Sequence, residues 1–135
     1  MTQRPLRLLP LEDTLDGALG LEILDTGEEV AHGRFAVEDR VRQPYGLVHG
    51  GAYAALAESL ASFTTHTAVA GEGMYAIGQS NLTSLLRPVS AGTVRAEALR
   101  LHRGRSSWVW EVRFTDEEGR LCALSRVPMA VRPAA

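Results

Sequence analysis

The chain has 135 residues, 45% of them hydrophobic and 22% charged, with a formal net charge of −2. Such a chain is expected to form one domain over residues 1–135, with a core that needs neither disulfides nor metal. Its charge gives no bulk attraction to nucleic acid or to an anionic membrane, so neither is expected as a partner.

Residues 1–10 read as a tail broken by Pro5 and Pro10. Residues 11–18 (LEDTLDGA) fit a short helix with acidic residues in its early turns. Leu19 to Leu24 reads as a strand, Thr26-Gly27 as a turn, and Glu29 to Val37 as a second strand. The run 38–48 contains Pro44 and Gly46 and reads as a loop. Gly50 to Ala70 is mostly Ala, Leu, Ser and Thr without Pro, and predicts one long helix of ~30 Å. Met74 to Leu86 reads as one strand, or two joined by an irregularity. Thr93 to Leu101, Trp108 to Phe114 and Leu121 to Val131 follow as strands of a meander. Asp116 to Gly119 is the last hairpin turn.

A meander is antiparallel, and a helix apolar around most of its circumference needs cover on most sides. The expected architecture is therefore α+β: a long central helix wrapped by a curved antiparallel sheet of five to six strands.

Between Arg42 and Glu72, Glu58 is the only formally charged residue. At ~100° per residue, Tyr53, Leu56, Leu60 and Phe63 share one stripe, expected to face the sheet. Glu58 and Ser62 share the opposite face with Gly51, Ala55 and Thr65. A solvated face of such a helix would carry several charges, and this one carries one. A lone carboxylate among small residues points to chemistry and to the close approach of a ligand or a second helix.

At the helix start, His49-Gly50-Gly51 presents backbone N–H groups at the positive end of the helix dipole. Developing negative charge can sit close there, although a loop-to-helix junction also uses glycine for its backbone geometry alone. Glu58 lies eight residues after Gly50, ~12 Å along the axis, so one small reacting group cannot touch both on one helix. Two helices antiparallel across a two-fold axis bring Gly50 of one chain near Glu58 of another. This predicts a dimer with two composite sites.

Gln43-Pro44-Tyr45-Gly46, Val48-His49-Gly50-Gly51-Ala52 and Leu56-Ala57-Glu58-Ser59 resemble the hotdog-fold thioesterases. So do the late segments Ser107–Trp110 and Asp116–Cys122. The resemblance covers roughly residues 11–131. It is nearest to the group holding the 4-hydroxybenzoyl-CoA thioesterases of the Arthrobacter type and the 1,4-dihydroxy-2-naphthoyl-CoA thioesterases. The related phenylacetate-pathway branch usually has Asp where this chain has Glu58. The resemblance implies hydrolysis of acyl-CoA thioesters, of aryl-acyl or other bulky acyl groups, by a dimer or a tetramer of two dimers. It implies no cofactor, since coenzyme A is part of the substrate. Gly50 N–H would polarise the carbonyl, Gln43 would hydrogen-bond beside it, and His49 would help hold substrate and loop. Glu58 of the neighbouring subunit would attack the carbonyl or act as base on water. Ser62 would orient that water.

The phosphates of coenzyme A need a basic site. Arg100, His102, Arg103 and Arg105 cluster about a glycine-containing turn followed by Ser106 and Ser107. The same cluster fits a solvated hairpin turn. The resemblance favours Arg105, Ser106 and Ser107 as phosphate ligands, with Gly51, Arg103 and Arg87 as further substrate contacts. Two other activities remain open: a hotdog-fold hydratase or dehydratase, and a non-catalytic acyl-CoA binding module.

All 14 basic residues are Arg, which removes Schiff-base chemistry on a lysine. His32, His66 and His102 lack metal-ligand spacing, so no metal site is expected. The single cysteine, Cys122, reads as a buried strand residue and rules out an intramolecular disulfide. The N-terminal stretch lacks the apolar run of a secretory signal, and the long helix carries Glu58 at its centre, unlike a membrane span. A cytoplasmic location is expected.

Overall fold

The computed structural model describes residues 8–134. A single 3-10 turn, Leu11–Asp13, leads into the short helix α1, Leu15–Leu19. Thr14 caps α1 through its hydroxyl, and Gly20 ends it in the left-handed conformation at φ 69°. The first strand therefore starts later than expected. It is β1, Glu22–Thr26, because Leu19 and Gly20 belong to the helix end. Strand β2 is Val30–Ala36, and a 3-10 turn at Asp39–Val41 interrupts the loop that follows. Helix α2 is Gly50–Ala70. Five strands follow: β3 Met74–Gly78, β4 Leu82–Leu85, β5 Thr93–Arg103, β6 Ser107–Thr115 and β7 Leu121–Pro133. The expected tail at 1–10 lies largely outside the described residues; Leu8 to Pro10 have no regular structure.

Every strand pairing is antiparallel, in the order β1-β2-β5-β6-β7-β3. The 13 residues of β7 are long enough to hold two partners end to end. β3 pairs with its second half and the short β4 with its first. The irregularity expected within Met74–Leu86 is this break at Gln79–Asn81, and β4 is thus a seventh strand beside the six-strand path.

The inner face of the sheet is built by alternation. Trp108, Trp110, Val112 and Phe114 of β6 point inward and are buried, as their period of two requires. They meet Tyr53, Leu56 and Leu60 of α2. Tyr53 stands edge-on between Phe35 and Phe114, with ring centroids 5.7 and 5.2 Å away.

Two helix assignments from the sequence are corrected. Phe63 does not lie under the sheet; it is 52% exposed. Thr65 is not on the open face; it is buried, donates to the Ala61 carbonyl and accepts from the Trp110 indole N–H at 2.8 Å. The buried arc of α2 runs through Ala57, Ala61 and Thr64, so it is rotated away from the Phe63 edge. Among the described residues no helix is long and apolar enough to cross a membrane.

Candidate active site

The Glu58 side chain is half-buried on a flank of α2 and has no hydrogen-bond or ion-pair partner among the described residues. Its carboxylate lies against the backbone of Gly78, the last residue of β3, where an added Cβ would run into it. The strand break just beyond holds this flank in place. The Asn81 side-chain amide donates to the Ala54 carbonyl of α2 at 2.9 Å. Its own carbonyl accepts from the Thr83 hydroxyl at 2.8 Å, and Thr83 is hydrogen-bonded to the buried Ser125 at 2.7 Å. A chain of side chains thus ties the sheet to the helical turn carrying Glu58. Sequence reasoning missed Gly78 and Asn81. The available signal was a glycine and an asparagine inside an otherwise strand-like run.

The helix start is arranged by the loop before it. Gln43 N–H donates to the Leu47 carbonyl at 2.7 Å and Gly46 N–H to the Gln43 carbonyl at 2.8 Å. Gly46 has φ 97°, which glycine tolerates. An isolated bridge joins Arg42 to Val48, and the Arg42 guanidinium reaches Asp39 and the carbonyls of Val37 and Ser90. This closed loop sets the half-buried Gln43 beside the helix entry; its side-chain amide has no partner among the described residues.

His49 is the N-cap. Its Nδ1 accepts from Gly51 N–H at 2.8 Å. In the neutral ring Nε2 therefore carries the proton and is a donor. One expectation changes here. Gly51 N–H is not free for substrate, because the imidazole already uses it. His49 is fixed by capping the helix. Gly50 N–H, by contrast, has no acceptor among the described residues. Leu85 of β4 packs against Gly50, and a Cβ on Gly50 would sit 2.7 Å from Leu85 Cδ1.

The basic turn lies at the far end of α2. A cavity of about 420 Å³ beside it is lined by Val69, Glu72, Arg103, Arg105 and Trp108, among others. Arg103 is already engaged. It pairs with Glu28 at 3.1 Å and Glu72 at 3.3 Å, and lies 4.8 Å over the Trp108 ring. Arg100 lies 5.0 Å over the same ring and donates to the Glu28 carbonyl at 2.7 Å. Arg105 is exposed without an acidic partner among the described residues, and Ser106 and Ser107 follow it. Arg87 is also exposed, but it sits two residues beyond Leu85, at the opposite end of the helix. Of the expected phosphate contacts, Arg105, Ser106 and Ser107 share one turn, and Arg87 lies toward the other end of α2 within the same chain.

Ser62, one turn beyond Glu58, opens onto a groove of about 900 Å³. Leu11, Leu21, Ile23, Phe63 and Ala76 give it mainly apolar walls, and Asp16, Ser59 and His66 add polar groups. The Ser59 hydroxyl donates to Asp16 at 2.7 Å, joining α1 to α2. His66 faces this groove and is exposed. Cys122 is buried, its Sγ donates to the Phe114 carbonyl at 3.2 Å, and burial pushes its thiol pKa up, so it stays protonated in the core.

A model of the thioesterase superfamily matches residues 45–123. The proofreading thioesterase EntH of Cronobacter turicensis is 41% identical over 118 residues, covering 87% of this chain and 85% of that protein. Among solved structures, a thioesterase from Haemophilus influenzae is 33% identical with a TM-score of 0.85, over 91% of this chain and 85% of that one. A mutant thioesterase from Pseudomonas aeruginosa is 32% identical with a TM-score of 0.86, over 91% and 88%. The PaaI protein of the Escherichia coli phenylacetic acid degradation operon shares the fold at 24% identity and a TM-score of 0.76, over 89% and 84%.

Proposed function

The chain belongs to the thioesterase superfamily and is a hotdog-fold thioesterase, and on that premise we propose that it hydrolyses acyl-CoA thioesters with Glu58 as the reacting carboxylate. The observation that carries the proposal is the state of Glu58: half-buried, without a neutralising partner among the described residues, and on the same uninterrupted helix as the uncapped Gly50 N–H.

In this reading the thioester carbonyl oxygen sits at the start of α2. It accepts from Gly50 N–H and from the Gln43 amide, while the His49 cap fixes the backbone there. These donors are in place before charge develops on the oxygen, which favours the tetrahedral oxyanion over the neutral carbonyl. Glu58 then acts by one of two routes. As a base it takes a proton from water, held with Ser62, as the water oxygen bonds to the carbonyl carbon. As a nucleophile it bonds to that carbon itself, and water later cleaves the anhydride. In both routes collapse of the oxyanion breaks the C–S bond and expels the coenzyme A thiolate, which takes its proton from the Glu58 carboxyl in the first route and from water in the second. No cofactor or metal takes part in either route.

Gly50 and Glu58 are ~12 Å apart along one helix, so each site takes its oxyanion donor from one copy and its carboxylate from another. The free edge of β3 supports this pairing. β3 ends the sheet order, finishes at Gly78 against Glu58, and exposes Ile77. A second copy added antiparallel at this edge turns the two helices antiparallel. The phosphate turn at the end of one helix then approaches the Gly50 end of its neighbour, as a single extended coenzyme A requires. Two such dimers forming a tetramer is the assembly proposed. The groove beside Ser62 and Phe63 supports a bulky or aryl acyl group, and an acyl-CoA substrate fits a cytoplasmic setting.

A thiol-release screen over aryl, short-chain and long-chain acyl-CoA thioesters tests the proposal. Release should be fastest with aryl or other bulky acyl groups. Addition of water to an enoyl-CoA without thiol release would overturn it.

A further inference from the structure

We infer that Arg132, not Arg103, is the second cation of the phosphate-binding turn, acting together with Arg105. This inference rests on the acyl-CoA reading above.

The turn at 104–106 joins β5 to β6 and has two flanks. On the β5 side Arg103 is neutralised by Glu28 and Glu72 and laid over Trp108. A phosphate arriving there would have to displace two carboxylates and would meet their charge. On the β7 side stands Arg132. Its Nη1 donates to the Ser106 carbonyl at 2.7 Å and to the Val131 carbonyl at 2.9 Å. The Ser106 carbonyl also accepts from Val131 N–H at 3.0 Å, and Gly104 N–H donates to the Ser107 carbonyl at 2.7 Å. The turn is thereby pinned to β7, and Arg132 has spent only one of its nitrogens.

Its Nε and Nη2 have no partner among the described residues, and no carboxylate pairs with it. Arg105, one residue from Ser106, is likewise unpaired. Two positive charges with free guanidinium donors therefore stand at the turn, Arg105 within it and Arg132 against the Ser106 carbonyl, a set suited to a phosphate dianion or a diphosphate. The sequence hid Arg132 because it lies 26 residues after Ser106 and reads as the end of the last strand.

The test compares KM and kcat for one acyl group carried on coenzyme A, on 3′-dephospho-coenzyme A and on pantetheine, which has no phosphate. Arg132→Ala is expected to raise KM for acyl-CoA about tenfold or more, since one charged hydrogen bond is lost. It should leave kcat and all constants for acylpantetheine unchanged. If dephospho-coenzyme A removes the difference between wild type and variant, Arg132 reads the 3′-phosphate; if the difference persists, it reads the diphosphate. Arg132→Lys should recover part of the affinity. Arg103→Ala should lower the melting temperature and change KM less than twofold. Unchanged KM in Arg132→Ala, an equal loss with acylpantetheine, or a larger KM effect in Arg103→Ala overturns the inference. A wild-type protein that does not prefer acyl-CoA to acylpantetheine overturns the acyl-CoA reading and this inference with it. A normal wild-type preference beside an unaffected Arg132→Ala variant overturns this inference alone.

Discussion

Glu58 and Gly78 face each other across the helix–sheet boundary, and the Glu58 carboxylate fills the space that any side chain at position 78 would need. A glycine at the end of β3 thus sets where the reacting group sits. Gly78→Ala is expected to keep the fold and to push the carboxylate aside. Misplacement on the 1 Å scale costs on the order of 10²-fold in rate. Steady-state kinetics should show the loss mainly in kcat, with a circular dichroism spectrum like that of the wild type.

Asn81 acts on the same helical turn through the Ala54 carbonyl. Asn81→Ala removes that bond and the Asn81 acceptor of the Thr83 hydroxyl, which keeps only Ser125 as its partner. A loss of about 1–2 kcal/mol of stability is expected by urea unfolding, with a fall in kcat larger than that in Asn81→Asp, which can still accept from Thr83.

The Trp110–Thr65 hydrogen bond is buried between β6 and α2. Thr65→Val keeps the volume but leaves the indole N–H without an acceptor. About 1–3 kcal/mol of destabilisation is expected in chemical denaturation. Thr65→Ser keeps the acceptor and should lose less.

His32 lies on the outer sheet face, 2.9 Å from Asp25 and 3.3 Å from Glu97. The hydrogen bond to Asp25 raises its pKa most; desolvation opposes this, and Glu97 adds to the rise. A raised pKa in the folded state means that the stabilisation is complete below the unfolded value of about 6.5 and fades as pH rises through the folded pKa. The melting temperature should therefore fall slightly as pH rises above about 6.5, by a small amount because these groups are exposed. His32→Gln should flatten that part of the profile.

The long helix, the meander and Glu58 were legible because each leaves a local mark. A 21-residue helix without Pro, alternation along β6 and one charge in an apolar run need no knowledge of contacts. Phe63 and Thr65 were misplaced because helical angle alone does not say where the sheet edge ends. The buried arc takes in Ala57, Ala61 and Thr64 instead. Gly51 looked like an open donor until the His49 ring was seen to cap it. Arg103 looked free because its partners, Glu28 and Glu72, are far away in sequence. Side-chain pairing between distant segments leaves no periodicity to read.

The most direct measurement is thiol release from an aryl acyl-CoA by Glu58→Gln, made beside the wild type at equal folded concentration. Glutamine keeps the size of the side chain and removes both its charge and its basicity. A fall in kcat of about 10²–10⁴-fold is expected, with coenzyme A binding and the melting curve retained. A folded Glu58→Gln protein that releases thiol at close to the wild-type rate would contradict it.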